Sequence, residues 1–373
     1  MTGETFCKDK ETLRGLEEAL QVALDDAINE KYGDKPDELI LRRFREEWHA
    51  MLCSESVADV ASIHEISMWL REKGYPYYVD YTGGASFLFY LLNISTVDPL
   101  PPHYYCPHCK RVVFDSSRRN GFDLQQGRLC DRCKTTMVCD GHDIPWQTLW
   151  GYGDHRPLLW LNIVKDAYNE FVQFSKSNWL LKEVQAPPEF ELDHFKNQCV
   201  QYSRLGLCFS EDAMGSRPDF FDKNIDAATA LSTKCLKTAM SSMGWLYRLV
   251  TLHYMLPTSF ADIVYINGMA SRSTQNRKVE CFMCKRMGYT AADMIAFRED
   301  VYYYLLDHGF IQKDAWRLSE RVRKGRGLEV VTNEMTQAKD RWVLKQIEKT
   351  RYLSTKPRTL EKLFFNMKLN KRK

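Results

Sequence analysis

Two Cys-x-x-Cys turns constrain this chain more than any other feature. Cys106 and Cys109 lie in "DPLPPHYYCPHCK" (98–110), and Cys130 and Cys133 follow after twenty intervening residues. Each turn can present two thiolates to one tetrahedral Zn²⁺, at Zn–S distances of about 2.3 Å. Four protein ligands leave no open coordination position, so the spacing predicts a structural zinc ribbon over about 103–146. The metal would staple the loop-rich stretch "KRVVFDSSRRNGFDLQQGRL" between the turns. Cys139 and His142 are expected to be bystanders. Cys281 and Cys284 form a further Cys-x-x-Cys with no matching turn after it. A redox pair, half of an intermolecular metal site and two ordinary thiols are all open for it, the last favoured.

The zinc reading needs reduced thiols, and the rest of the chain is consistent with that. "MTGETFCKDKETLRG" has no apolar segment of the kind a signal peptide carries, and the run "FLFYLL" (87–92) is too short to span a bilayer. A cytoplasmic protein without a membrane segment is expected, where paired cysteines bind metal rather than each other. At 373 residues, 44% of them apolar, the chain can hold two or three domains with real cores. The net charge of +3 identifies no partner, but its distribution is uneven. The first forty residues are acidic, whereas 339–373 hold twelve Lys/Arg against three Asp/Glu. Such a tail fits nucleic acid or a solvated terminus equally well. In "SERVRKGRG" (319–327), Arg321, Arg323, Lys324 and Arg326 surround two glycines. They are candidate phosphate contacts, or cations favoured by the end of a helix.

Leu13, Leu16, Leu20 and Leu24 predict an amphipathic helix over 11–31. Two more helices follow, the second closed by Gly74. "YPYYVDYTGGASFLFYLLNI" (75–94) reads as a strand or loop entering a helix, and "PLLWLNI" (157–163) as a buried strand. Residues 218–256 read as mostly helical, and the part beyond Pro257 as all-helical. Thr290 and Asp293 predict a capped helix start, with Met294, Phe297, Val301 and Leu305 as its apolar stripe and Gly309 as its stop.

The order of segments resembles the central part of PolC-type DNA polymerase III. "INEKYGDKPDELILRRFREEW", the cysteine turns with "DGHDIPWQTLWGYGD", "PTSFADIVYINGMA", "REDVYYYLLDHGF", "RVRKGRGL" and "QIEKTRYL" carry the likeness over roughly 25–355. It implies an α+β fold: a nucleotidyltransferase-like palm remnant with an inserted zinc ribbon, then a mainly helical, truncated fingers-like part. The divisions expected are a helical segment at 1–40, a palm-like domain at 41–256, and a fingers-like domain with a basic tail at 257–373. At this length, the family's OB, exonuclease and clamp-binding segments are expected to be missing.

Nucleotidyl transfer requires carboxylates holding two Mg²⁺ ions. By the resemblance, Leu158 and Trp160 stand where the family has two aspartates, and Ser203 stands at the third. Asp80 occupies the place of an arginine that faces triphosphate, and Leu256 that of another arginine. Asp154, Asp166 and Asp193 lie near lost ligands in sequence, but a metal site tolerates little displacement. Mg²⁺ is therefore not expected at this place. The expected function is that of a catalytically inactive PolC-like fragment. It would bind DNA or replication proteins, as a decoy or regulator of a mobile element. The alternative is a divergent fragment still carrying out templated nucleotidyl transfer.

Overall fold

The computed structural model describes residues 10–185, 189–192, 198–210, 259–271, 273–274, 277–328 and 338–370. Asp193, Leu256 and the 218–256 segment lie outside them. Helix α1 (Lys10–Tyr32) buries Leu16, Leu20, Leu24, Ile28 and Tyr32, one residue per turn, as its leucine spacing predicts. Helix α2 (Glu38–Cys53) starts at Asp37, whose side chain accepts from Leu39 N at 2.9 Å. Helix α3 (Val57–Glu72) follows and ends before Gly74, which has φ 75°.

Strand β1 (Tyr77–Val79) and helix α4 (Phe87–Leu91) flank a tight turn at Gly83–Ala85. Strands β2 (His103–Tyr105), β3 (Val112–Phe114) and β4 (Val138–Asp140) form a separate antiparallel sheet in the order β3-β2-β4. After α5 (Gln147–Trp150) come β5 (Leu159–Val164), α6 (Tyr168–Ser177), β6 (Glu189–Leu192), β7 (Gln198–Tyr202) and β8 (Leu205–Ser210). The main sheet runs β1-β5-β8-β7-β6. β5 and β8 pair in parallel, while the other neighbours are antiparallel. Parallel neighbours need a crossover. α6 lies on it, with Phe174 stacked on Trp69 of α3 at 4.9 Å.

The remaining described residues are helical apart from a short ribbon: α7 (Phe260–Ser271), β9 (Ser273–Thr274), α8 (Arg277–Arg286), α9 (Arg298–Asp307), α10 (Gln312–Arg323), α11 (Ala338–Lys349), β10 (Thr350–Tyr352) and α12 (Lys356–Asn370). Val301, Leu305, Leu318, Val322 and Ile347 form its own core. α12 instead returns to the main sheet, where Phe365 packs on Tyr78 at 4.9 Å. The fold is thus mixed α+β.

One helix start differs from the sequence expectation. Thr290 and Asp293 do form a capping box, but it begins only a 3₁₀ turn at Ala291–Asp293. The helix starts at Arg298, because the Asp300 carboxylate accepts from Ala296 N and Phe297 N at 2.9 and 2.8 Å and holds Phe297 extended. Met294 and Phe297 are buried as expected, from outside the helix.

Candidate functional site

The two cysteine turns have the same backbone geometry. Lys110 N donates to Cys106 O at 3.0 Å and Lys134 N to Cys130 O at 2.9 Å. Lys110 and Lys134 adopt left-handed φ values of 62° and 58°, which folds each turn back on itself. The four Sγ atoms all lie within 4.8 Å of one another, with Cys106–Cys133 and Cys109–Cys130 each at 3.4 Å. A tetrahedron with metal–sulfur bonds of about 2.3 Å has edges of roughly 3.8 Å, so the set fits one ion. The Thr135 side chain and backbone draw the Cys133 thiol down to about 5, toward the thiolate a metal requires. Cys106, Cys109, Cys130 and Cys133 can therefore hold a structural metal such as zinc. Cys139 is buried beside Gln125 O, and His142 contacts Asn120 Nδ2 at 2.9 Å; neither joins the cluster. Cys281 and Cys284 both lie buried on α8, and burial pushes the Cys284 thiol up to about 12, away from the thiolate that redox or metal chemistry uses.

The second site lies on the main sheet. Leu158 is exposed just before β5, and Trp160 is half-buried on the same face two residues on. Trp160 stands opposite Gly206 of β8 and lies flat over it: a Cβ on Gly206 would fall 2.0 Å from Trp160 Cε3. Tyr81 meets the Trp160 ring edge-on at 6.1 Å. Ser203 sits in the β7–β8 turn with φ 32°. An indole, an isobutyl group and a hydroxyl thus stand at the positions compared above with three carboxylates. Asp154 is turned to His155 at 3.0 Å on an exposed loop. Asp166 lies beyond the opposite end of β5 from Leu158, about six residues of roughly 3.3 Å each away. Among the described residues, the four cysteines are the sole group of three or more His, Cys, Asp or Glu close enough to share an ion.

Asp80 is neither exposed nor free. Arg358 Nε and Nη2, from α12, donate to its two oxygens at 2.6 and 3.2 Å, Asn162 Nδ2 donates at 2.9 Å, and Tyr81 N at 2.7 Å. Burial raises the carboxyl, but Arg358 outweighs it and holds the group below its ordinary value. Asp80, placed above where the family has an arginine facing triphosphate, therefore offers no free negative charge to a ligand: Arg358 neutralises it. The adjoining Gly83–Ala85 turn is fixed from behind by Glu47 of α2. That buried carboxylate accepts from Ser86 Oγ at 2.7 Å, Phe87 N at 2.9 Å and Trp150 Nε1 at 3.1 Å. On the other side α12 touches the turn, with Glu361 Cγ 2.9 Å from where a Gly84 Cβ would stand.

Between this sheet face and α9–α10 lies a cleft of about 550 Å³. Six cations line it: Arg156, Arg204, Arg298, Arg323, Lys324 and Arg358. Most have carboxylate partners. Arg156 grips Asp59 at 2.5 and 2.6 Å. Arg298, Arg323 and Lys324 share Glu320, which despite its burial is held down at about 2, chiefly by Arg323. Arg204 makes no ion pair with any described residue. Of the four cations singled out from the sequence, Arg323 and Lys324 face the cleft. Arg326 is exposed outside it, and Arg321 lies half-buried on α10.

Arg358, Arg204, Trp316 and Tyr352 were not foreseen. Arg358 is 278 residues from Asp80, so no local pattern marks it. Its place directly after Ser203 was the one sequence signal available for Arg204.

No protein-family model matches the chain. Among curated proteins it is similar to several named "DNA polymerase III PolC-type". That of Ureaplasma parvum is 35% identical over 136 residues, 35% of this chain and 9% of the relative. That of Staphylococcus saprophyticus is 32% identical over 171 residues, 44% and 12%. That of Bacillus subtilis is 31% identical over 153 residues, 40% and 11%. The chain carries a partial PolC-like region, and the match spans about a tenth of these relatives' length.

Proposed function

We propose that this chain is a PolC-derived DNA-binding protein that does not transfer nucleotides and that acts as a decoy or regulator in DNA replication. In this reading, the main sheet is a palm remnant, α7–α12 is a fingers-like part, and the ribbon is a structural zinc site. The observation that carries it is Trp160 lying over Gly206 where a two-metal mechanism needs carboxylates. A hard divalent cation requires oxygen donors, and neither the indole nor Leu158 supplies one. The cleft retains cations on both walls, which supports binding to a phosphate backbone. Because Asp59, Asp80 and Glu320 already occupy most of them, affinity rests on few phosphates.

Binding of a labelled primed duplex, measured from low to physiological salt, tests this. Weak binding is expected, with a log–log salt slope of roughly −0.9 per phosphate contacted and about two to four contacts. Absence of binding at low salt would sink the DNA part of the proposal and leave replication proteins as the partner.

The printed names of the relatives favour a second reading, a divergent fragment performing templated nucleotidyl transfer. It would need metal-binding carboxylates from elsewhere than Leu158, Trp160 and Ser203.

A further inference from the structure

We infer that the cleft lined by Tyr81, Leu158 and Tyr352, at the edge of the sheet face that carries Trp160, is a stacking site for the unpaired end of a DNA strand. This rests on the DNA-binding reading above and adds the site and the form of DNA.

The cleft is unusual in how its apolar surface is exposed. Tyr81 is 43% exposed, Tyr352 40% and Leu158 39%, although all three line one concavity. Large side chains in a concave site are usually covered by one another. Here cations lie against the rings. The Arg358 guanidinium lies 5.1 Å from the Tyr81 ring centre, Arg323 lies 5.9 Å from Tyr352, and Arg298 lies 4.1 Å from Trp316. Each guanidinium is held in turn by Asp80 or Glu320. The rings are thereby fixed in place, with one surface left to solvent at Tyr81 and Tyr352. Arg204, unpaired with any described residue, stands on the β7–β8 turn beside them.

Fixed aromatic faces interleaved with cations match unpaired nucleic acid, whose bases stack on rings while its phosphates meet arginine. A paired duplex offers no free base face. Charge complementarity is modest but of the right sign. Six cations line the cleft, against Glu320 within it and Asp59, Asp80 and Glu299 behind. The net is about two positive charges, concentrated at Arg204 and Lys324.

The test is fluorescence anisotropy on the full chain with three DNA probes: a short thymidine homopolymer, a blunt duplex, and a duplex with a single-stranded overhang. The variants are Arg204→Ala and Tyr352→Ala, which remove side chains that are half-buried or exposed and so spare the fold. The single strand and the overhang duplex should bind better than the blunt duplex. Tyr352→Ala should weaken their binding roughly 5- to 100-fold, the range for loss of one stacked base. Arg204→Ala should weaken it and flatten the salt dependence by about one phosphate. Single-strand binding that neither variant alters places DNA elsewhere and overturns the site. A preference for blunt duplex overturns the form of DNA while leaving the DNA-binding reading intact. No binding to any probe removes that reading and this inference together.

Discussion

Asp80 and Arg358 form a two-point ion pair that ties the turn after β1 to the N-terminus of α12, with N–O distances of 2.6 and 3.2 Å. The pair is largely shielded, and Asp80 keeps two further hydrogen bonds, from Asn162 and Tyr81 N. Removing Arg358 leaves a buried carboxylate short of its counter-charge. Arg358→Ala should therefore lower unfolding stability by about 2–3 kcal/mol. Arg358→Lys should recover only part of it, because a point charge cannot make both contacts. Chemical denaturation of the two variants checks this. A change below about 0.5 kcal/mol in Arg358→Ala would show the pair to be incidental.

Acid should loosen the cleft late. The folded Asp80 and Glu320 carboxyls are both depressed, Glu320 to about 2. Groups of this kind stabilise the fold above their unfolded values, near 4. That stability is lost as the pH falls through the folded ones. Wild-type stability should therefore fall from about pH 4 down to about pH 2. Glu320→Gln should be less stable than wild type at pH 7 and show a shallower acid loss. Parallel pH curves for the two proteins would contradict the assignment.

Gly206 is fixed by its neighbour. Any Cβ there meets the Trp160 ring, so Gly206→Ala should cost about 1–3 kcal/mol through overpacking. In a Trp160→Ala background the same change should cost far less. The coupling is read from a double-mutant cycle. Additive effects would mean that the ring does not lie over the glycine in solution.

The ribbon should stand or fall with its metal. Metal analysis of natively purified protein should give one zinc per chain. Cys106→Ser should lose it and unfold the segment around 103–140, seen as rapid amide exchange there. A folded, metal-free ribbon would refute the assignment of Cys106, Cys109, Cys130 and Cys133 as ligands.

Much of this was legible because its causes are local. The cysteine spacing marks the four-cysteine cluster, and the leucine period marks α1, since both depend on residues a few positions apart. The boundary of α9 was misplaced because the capping box at Thr290 and Asp293 is real but caps only one turn. The decisive carboxylate, Asp300, serves the next start. The cleft itself could not be read. Asp80 meets Arg358 across the whole chain, and Glu47 reaches Ser86 and Trp150 from α2. A charge reversal seen in isolation at Asp80 looks like repulsion; in the fold it is half of a pair.

In the reading proposed above, the main sheet is a palm remnant whose metal site is filled by side chains that cannot hold Mg²⁺. Primer extension at high protein concentration, with Mg²⁺ and then Mn²⁺, tests it most directly, using a mock preparation from cells that lack the chain as the control for contaminating polymerase. No extension above that control is the expected result, since each lost carboxylate removes charge stabilisation from the transition state and the metal pair works as a unit. Templated extension by the unmodified chain, clearly above the control and abolished by replacing Asp154, Asp166 or Asp193, would show that the active site lies elsewhere and that the chain is an enzyme.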